Sequence, residues 1–139
     1  MFERAKINLD FTRKKLEKAK EEFEKGEYAE TIHYIWVVFE NCINVIKDAK
    51  NYKPLYEHKS KVDLFSLYNS LGYLRNDYSS IFSVLQKLRI RADFGDYSNA
   101  PNLPEKDKIK EFLEKSIELF KETQKILTEL LPKNIGEQK

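Results

Sequence analysis

The chain has 139 residues and a formal net charge of +2, with 25 Lys and Arg against 23 Asp and Glu. That length suits one domain with a core of its own, and the near balance of charge gives no electrostatic reason to expect nucleic-acid binding. The single Cys rules out an intrachain disulfide and a Cys-based metal cluster, and it suits a reducing cytoplasm.

The charges are interleaved as well as balanced. Lys14, Lys15 and Lys18 sit among Glu17, Glu21 and Glu22, and Lys106, Lys108 and Lys110 among Glu105, Asp107 and Glu111. Such runs read as solvated helix faces, not as phosphate tracks. Phe2-Glu3-Arg4 leads into an amphipathic stretch, unlike a signal peptide. The longest weakly charged run, Thr31 to Ile46, contains His33, Glu40, Asn41 and Asn44 and is too short and polar to span a bilayer. The expectation is a cytoplasmic protein with no membrane contact.

In chain order, the first helix is predicted at about 2–25. Phe2, Ala5, Leu9, Thr12, Leu16, Ala19 and Phe23 repeat at steps of three and four, and Ile7 and Phe11 widen the stripe. Gly26 supplies the stop. The second helix, at about 27–50, has Tyr28, Ile32, Ile35, Trp36, Phe39, Ile43 and Ile46 on one face, and Val37, Val38, Cys42 and Val45 fill much of the rest. A helix apolar on most sides belongs at the centre, with the lone Cys42 as a small buried hydrophobe.

A connection broken by Pro54 follows. Ser60-Lys61-Val62-Asp63 then opens a third helix at about 61–74, with Leu64, Leu67, Tyr68 and Leu71 inward. Asp77 is a cap for the fourth, at about 78–94, whose apolar face is Tyr78, Ile81, Phe82, Leu85, Leu88 and Ala92 and whose end is Gly95. Asn102-Leu103-Pro104-Glu105 starts the fifth, at about 103–131. Ile109, Phe112, Ser116, Phe120, Thr123, Leu127 and Leu130 form its stripe, Pro132 stops it, and 132–139 is a frayed tail. No segment alternates with period two. The prediction is a single all-α domain over 1–139, an antiparallel bundle of about five helices.

Most catalytic templates find no match. There is no Gly-rich phosphate loop and no HExxH, and neither His33 nor His58 has a second ligand at metal spacing. No metal and no cofactor are expected. His33 reads as an interior or edge histidine, and His58 as a loop or capping group. Most tyrosines read as rim packing, although Tyr34, Tyr73 or Tyr97 could stack a base.

One constellation stands apart. In Arg89-Ile90-Arg91-Ala92-Asp93-Phe94-Gly95-Asp96-Tyr97, two guanidiniums, two carboxylates and a phenol crowd a helix end and its exit loop. Arg89 and Asp93 are four apart and share a face. Two readings stand open: an Arg–Asp clasp that fixes the loop, or a pocket that binds a nucleotide or RNA phosphate through Arg89 or Arg91, with Asp93, Asp96 and Tyr97 as polar neighbours and His33 and His58 as weaker contributors.

This segment resembles the RxxADYGDY signature of one branch of the HEPN domains, with Phe94 in place of the usual Tyr. The turn Gly26-Glu27-Tyr28-Ala29 before an aromatic-rich helix and His58-Lys59 before another are also similar to that family, and the likeness spans about Ile7 to Leu131. The resemblance implies a four- or five-helix bundle, homodimers, and a small nucleotidyltransferase neighbour in toxin–antitoxin pairs. Many members are metal-independent ribonucleases that use an Arg and, four to six residues later, a His. Arg89 matches the Arg, but Phe94, Gly95 and Asp96 stand where the His would fall, which weighs against enzymatic activity. Cleavage of RNA needs a base and an acid. If the chain is a ribonuclease nevertheless, the resemblance points to Arg89, Asp96 and Tyr97. The expected function is therefore a HEPN-like module that binds nucleotide or RNA. The alternatives are a ribonuclease with an atypical catalytic set and a structural or protein-binding homodimer.

Overall fold

The structure, a computed structural model, describes residues 2–50, 59–95 and 99–137. Within them run five helices: α1 (Phe2–Glu24), α2 (Tyr28–Lys50), α3 (Lys61–Ser70), α4 (Ser79–Phe94) and α5 (Lys106–Glu137). Among the described residues there is no strand, and the helices pack on one another as an all-α bundle.

Helix α2 is the hub, because it packs against each of the other four helices. Thr31, Ile32, Ile35, Val38, Phe39, Cys42, Ile43, Val45 and Ile46 are all buried along it. Phe39 anchors an aromatic cluster, with ring centroids 6.0 Å from Phe65, 6.0 Å from Tyr78 and 6.3 Å from Phe82. One residue of α2 thus joins α3 and α4. The buried hydroxyls of Thr12, Thr31, Ser116 and Thr123 each donate to a carbonyl of their own helical turn, at 2.6–2.8 Å, so they cost the core no unpaired group. Cys42 is fully buried, and burial pushes its thiol up to about 12.

Helix ends follow local chemistry. Gly26, with φ of 77°, closes α1, and the Glu27 amide reaches back to the Glu22 carbonyl at 2.9 Å. Ser60 caps α3 by accepting from the Asp63 amide. The Asp77 carboxylate accepts from the Ser79 amide at 2.9 Å and so does a cap's work at the start of α4. Hydrogen bonds from Ser79 hold the Asp77 carboxyl below the usual carboxylate range. Glu122 of α5 ties down the α3–α4 connection, accepting from the Arg75 amide, the Asn76 amide group and the Tyr78 hydroxyl. Burial first, and Glu122 second, push the Tyr78 phenol up.

Several boundaries and faces differ from the sequence expectation. Helix α3 ends at Ser70, not near 74. Gly72 takes φ of 81°, and the Tyr73 amide turns back to the Tyr68 carbonyl at 2.9 Å. Gly72 is therefore a stop, not a weak interior residue, and Leu71, expected inward, is 42% exposed. Helix α5 begins at Lys106, not 103: Leu103 precedes a proline, which disfavours the helical region there, and the Lys108 and Ile109 amides reach back to the Glu105 carbonyl, so Glu105 and not Asn102 holds the cap position. It also continues through Pro132 to Glu137. Proline's fixed φ is compatible with a helix, and its missing N–H removes one intrahelical bond. Ile7 and Phe11 do not widen the core stripe. Each lies two residues, about 200°, from a buried position, Leu9 in both cases, and so faces outward. Phe11 instead lies under Lys15, whose Nζ is 4.9 Å from the ring.

Two outcomes follow. Phe39→Ala removes the residue shared by three aromatic partners and lowers unfolding stability by about 3–5 kcal/mol in denaturant titration. A thiol reagent modifies Cys42 only as the chain unfolds, so labelling in rising urea tracks the loss of helical circular dichroism.

Candidate functional site

The end of α4 faces α2, and this is where the chain's charges meet its core. The two arginines singled out from the sequence have separate surroundings. Arg91 turns toward the loop after α4. Its Nε donates to the carbonyls of Ala100 and Pro101, both at 3.2 Å, Nη2 to Ala100 at 2.5 Å, and Nη1 to Gly95 at 3.2 Å. It is a clasp on backbone carbonyls, at a helix end where cations are favoured. Gly95 lets the chain turn here, with φ of 61°.

Arg89 turns the other way, onto α2. Its guanidinium carbon lies 4.2 Å from the Trp36 ring centroid, within cation–π range. Its Nε lies 3.4 Å from Asp93 Oδ2 but in a geometry that falls short of a hydrogen bond. This is an ion pair that leaves a buried N–H without a hydrogen bond among the described residues. Among them the Trp36 indole Nε1 is likewise buried without a partner. Among the described residues, no group accepts a hydrogen bond from either Nη of Arg89.

The other oxygen of Asp93 holds a histidine. His33 Nδ1 of α2 is 3.1 Å from Asp93 Oδ1. One carboxylate therefore joins an imidazole from α2 and a guanidinium from its own helix. The His33 ring packs edge-on to Tyr34, at 5.3 Å between centroids. With Nδ1 facing Asp93, the second ring nitrogen of His33 is left for another partner. Beside the pair lies a hollow of about 380 Å³ lined by Ala29, Glu30, His33, Tyr34, Ala92 and Asp93.

The structure thus brings together Arg89, Asp93 and His33, and gives Arg91 a separate place on the loop. His58, Asp96 and Tyr97 lie outside the described residues. Glu30 and Trp36 join the site without having been singled out for it. By periodicity alone Trp36 falls on the core face of α2. The available signal was a polar stripe on an apolar helix, since Glu30, His33 and Glu40 fall near one line of α2. Among the described residues no group of His, Cys, Asp and Glu could hold a metal ion, and no helix is long and apolar enough to cross a membrane.

No family model matches the chain, and no match to it is found among the curated proteins compared.

The two clusters differ in what they do for stability, and substitution separates them. Arg91→Ala frees several loop carbonyls and costs about 2 kcal/mol, since bonds to a charged donor are the stronger kind. Asp93→Asn breaks ion pairs whose Arg89 and Asp93 side chains are 38% and 25% exposed, and costs about 1 kcal/mol or less. Urea unfolding of both variants checks the order.

Proposed function

We propose that this chain is a HEPN-like helical module that binds a nucleotide or an RNA, with a phosphate seated on Arg89. The observation that carries this reading is the state of that one side chain. Stacking on Trp36 and the charge of Asp93 orient the guanidinium, while its Nη donors lack protein partners among the described residues. A planar fork in that condition suits a phosphate, which takes two parallel N–H bonds. The resemblance of Arg89 to Tyr97 to the HEPN signature supports the same reading, as does the helical bundle. It extends to a cytoplasmic homodimer working beside a small nucleotidyltransferase in a toxin–antitoxin pair. Ile90 and Phe94, one turn apart on α4 and 41% and 61% exposed, support contact with a second copy.

Calorimetry with a nucleotide panel and short RNAs tests the binding. Dissociation constants of millimolar or lower are expected, weakened at least tenfold by Arg89→Ala and weakened by added salt. No heat at millimolar ligand, or full binding by Arg89→Ala, overturns the assignment.

A second reading is favoured by His33. A metal-independent ribonuclease needs an imidazole near its arginine, and here Asp93 holds one from α2 instead of from the segment after Arg89. A carboxylate on Nδ1 fixes the ring and leaves Nε2 to exchange a proton. In an RNA cleavage assay with chelator, His33→Ala then lowers the rate about 100-fold or more. No cleavage by the parent chain, or cleavage that survives His33→Ala, removes this reading and leaves the binding module.

A further inference from the structure

The hollow beside Arg89 has a chemistry of its own. Its ionised lining is acidic, because Glu30 and Asp93 contribute carboxylates while no Lys or Arg lines it. A phosphate is repelled from such a surface and belongs on the arginine at its border. Asp93 is that border, since Oδ1 takes His33 on the hollow's side and Oδ2 pairs with Arg89. Ala29 of α2 and Ala92 of α4 keep the space between the helices open. Tyr34 supplies an aromatic wall. Glu30 is exposed and has no bonded partner among the described residues. An ionised carboxylate only accepts hydrogen bonds, so an occupant that meets these two acids has to bring donors. The occupant implied is one molecule with an anionic group for Arg89 and, a few ångströms away, neutral hydroxyl donors for the acids.

We infer that the hollow between α2 and α4 is a sugar-hydroxyl subsite, in which Glu30 and Asp93 accept hydrogen bonds from the ribose of a nucleotide whose phosphate lies on Arg89. This rests on the nucleotide reading above and adds the ligand class, a ribonucleotide in preference to a deoxyribonucleotide. The 2′-hydroxyl is the group that separates the two. Acidic side chains are suited to it, as in dinucleotide sites where a carboxylate takes the ribose 2′-hydroxyl. The hollow is also large enough for the task, because about 380 Å³ exceeds the bulk of a single pentose.

The test is calorimetry of the full chain with the four ribonucleoside 5′-monophosphates and their 2′-deoxy counterparts. The parent chain binds the ribo form about tenfold more tightly, the effect of one hydrogen bond to a charged acceptor. Glu30→Ala, an exposed helical position where alanine favours the fold, binds the ribo form more weakly. It binds the deoxy form at least as well as the parent does, because a like charge has been removed from the phosphate's neighbourhood. Arg89→Ala weakens both forms and leaves their ratio unchanged. Equal binding of ribo and deoxy forms by the parent overturns the subsite and leaves the phosphate reading intact. So does a ribo preference that survives Glu30→Ala. Binding of neither form overturns both.

Discussion

A helix that is apolar around most of its circumference has to be surrounded, and α2 sets that requirement for the whole chain. Helices α1, α3, α4 and α5 each cover part of it. Burying a large apolar side chain contributes roughly 1.5–3 kcal/mol, and α2 has seven such Ile, Val and Phe positions buried, among them Ile32, Ile35 and Phe39. The same helix carries half-buried polar residues at the edge of its core face, and these find partners on neighbouring turns and helices. Asn41 bonds the Val37 carbonyl at 3.0 Å, Glu40 takes Lys61 at 2.5 Å, and His33 takes Asp93. The site is therefore where the polar stripe of the hub helix meets α4, and its position follows from the packing of the core.

At that meeting point the end of α4 uses its two arginines in opposite ways. Arg91 meets loop carbonyls, which are numerous and fixed near a helix C-terminus, and its donors are consumed there. Arg89 meets an indole face and the edge of one carboxylate, and neither saturates a guanidinium with five N–H donors. The first arrangement stabilises a loop. The second holds a charge in place with Nη donors that lack partners among the described residues, where Arg89 Nε and Trp36 Nε1 are also buried without one. Native structures leave few such groups.

The helices were legible because their signals are local. Gly26 and Gly95 end helices as their sequence context implies, Ser60 caps α3, and the stripes of α1, α4 and α5 name most of the buried residues. The errors come where two local signals compete. Apolar Ile7 and Phe11 resemble core until their angle about α1 is worked out, and Gly72 reads as an interior blemish until its positive φ makes it a stop. The site was half legible. Arg89 and Asp93 share a helical face by spacing alone. Nothing local says that Arg91, two residues on, faces the loop carbonyls instead of the site, or that His33 pairs with an acid 60 positions away. That pairing depends on the register between α2 and α4, which the Phe39 cluster sets and no short motif encodes.

The register also explains how one carboxylate can serve both sides of the site. Asp93 attracts Arg89 and so competes with any anion for it, which by itself would weaken binding. But Asp93 meets the Nε edge of the guanidinium, and the geometry there is too poor for a hydrogen bond. Among the described residues nothing takes the Nη edge, which is oriented from one side by Trp36 and from the other by charge. For the phosphate proposed above, that edge would be a fork already held in place, so less rotamer freedom would be lost on binding. The second oxygen of Asp93 meanwhile fixes His33 across the helix boundary. A guanidinium and an imidazole are thereby set around a single side chain, each paired with a different oxygen.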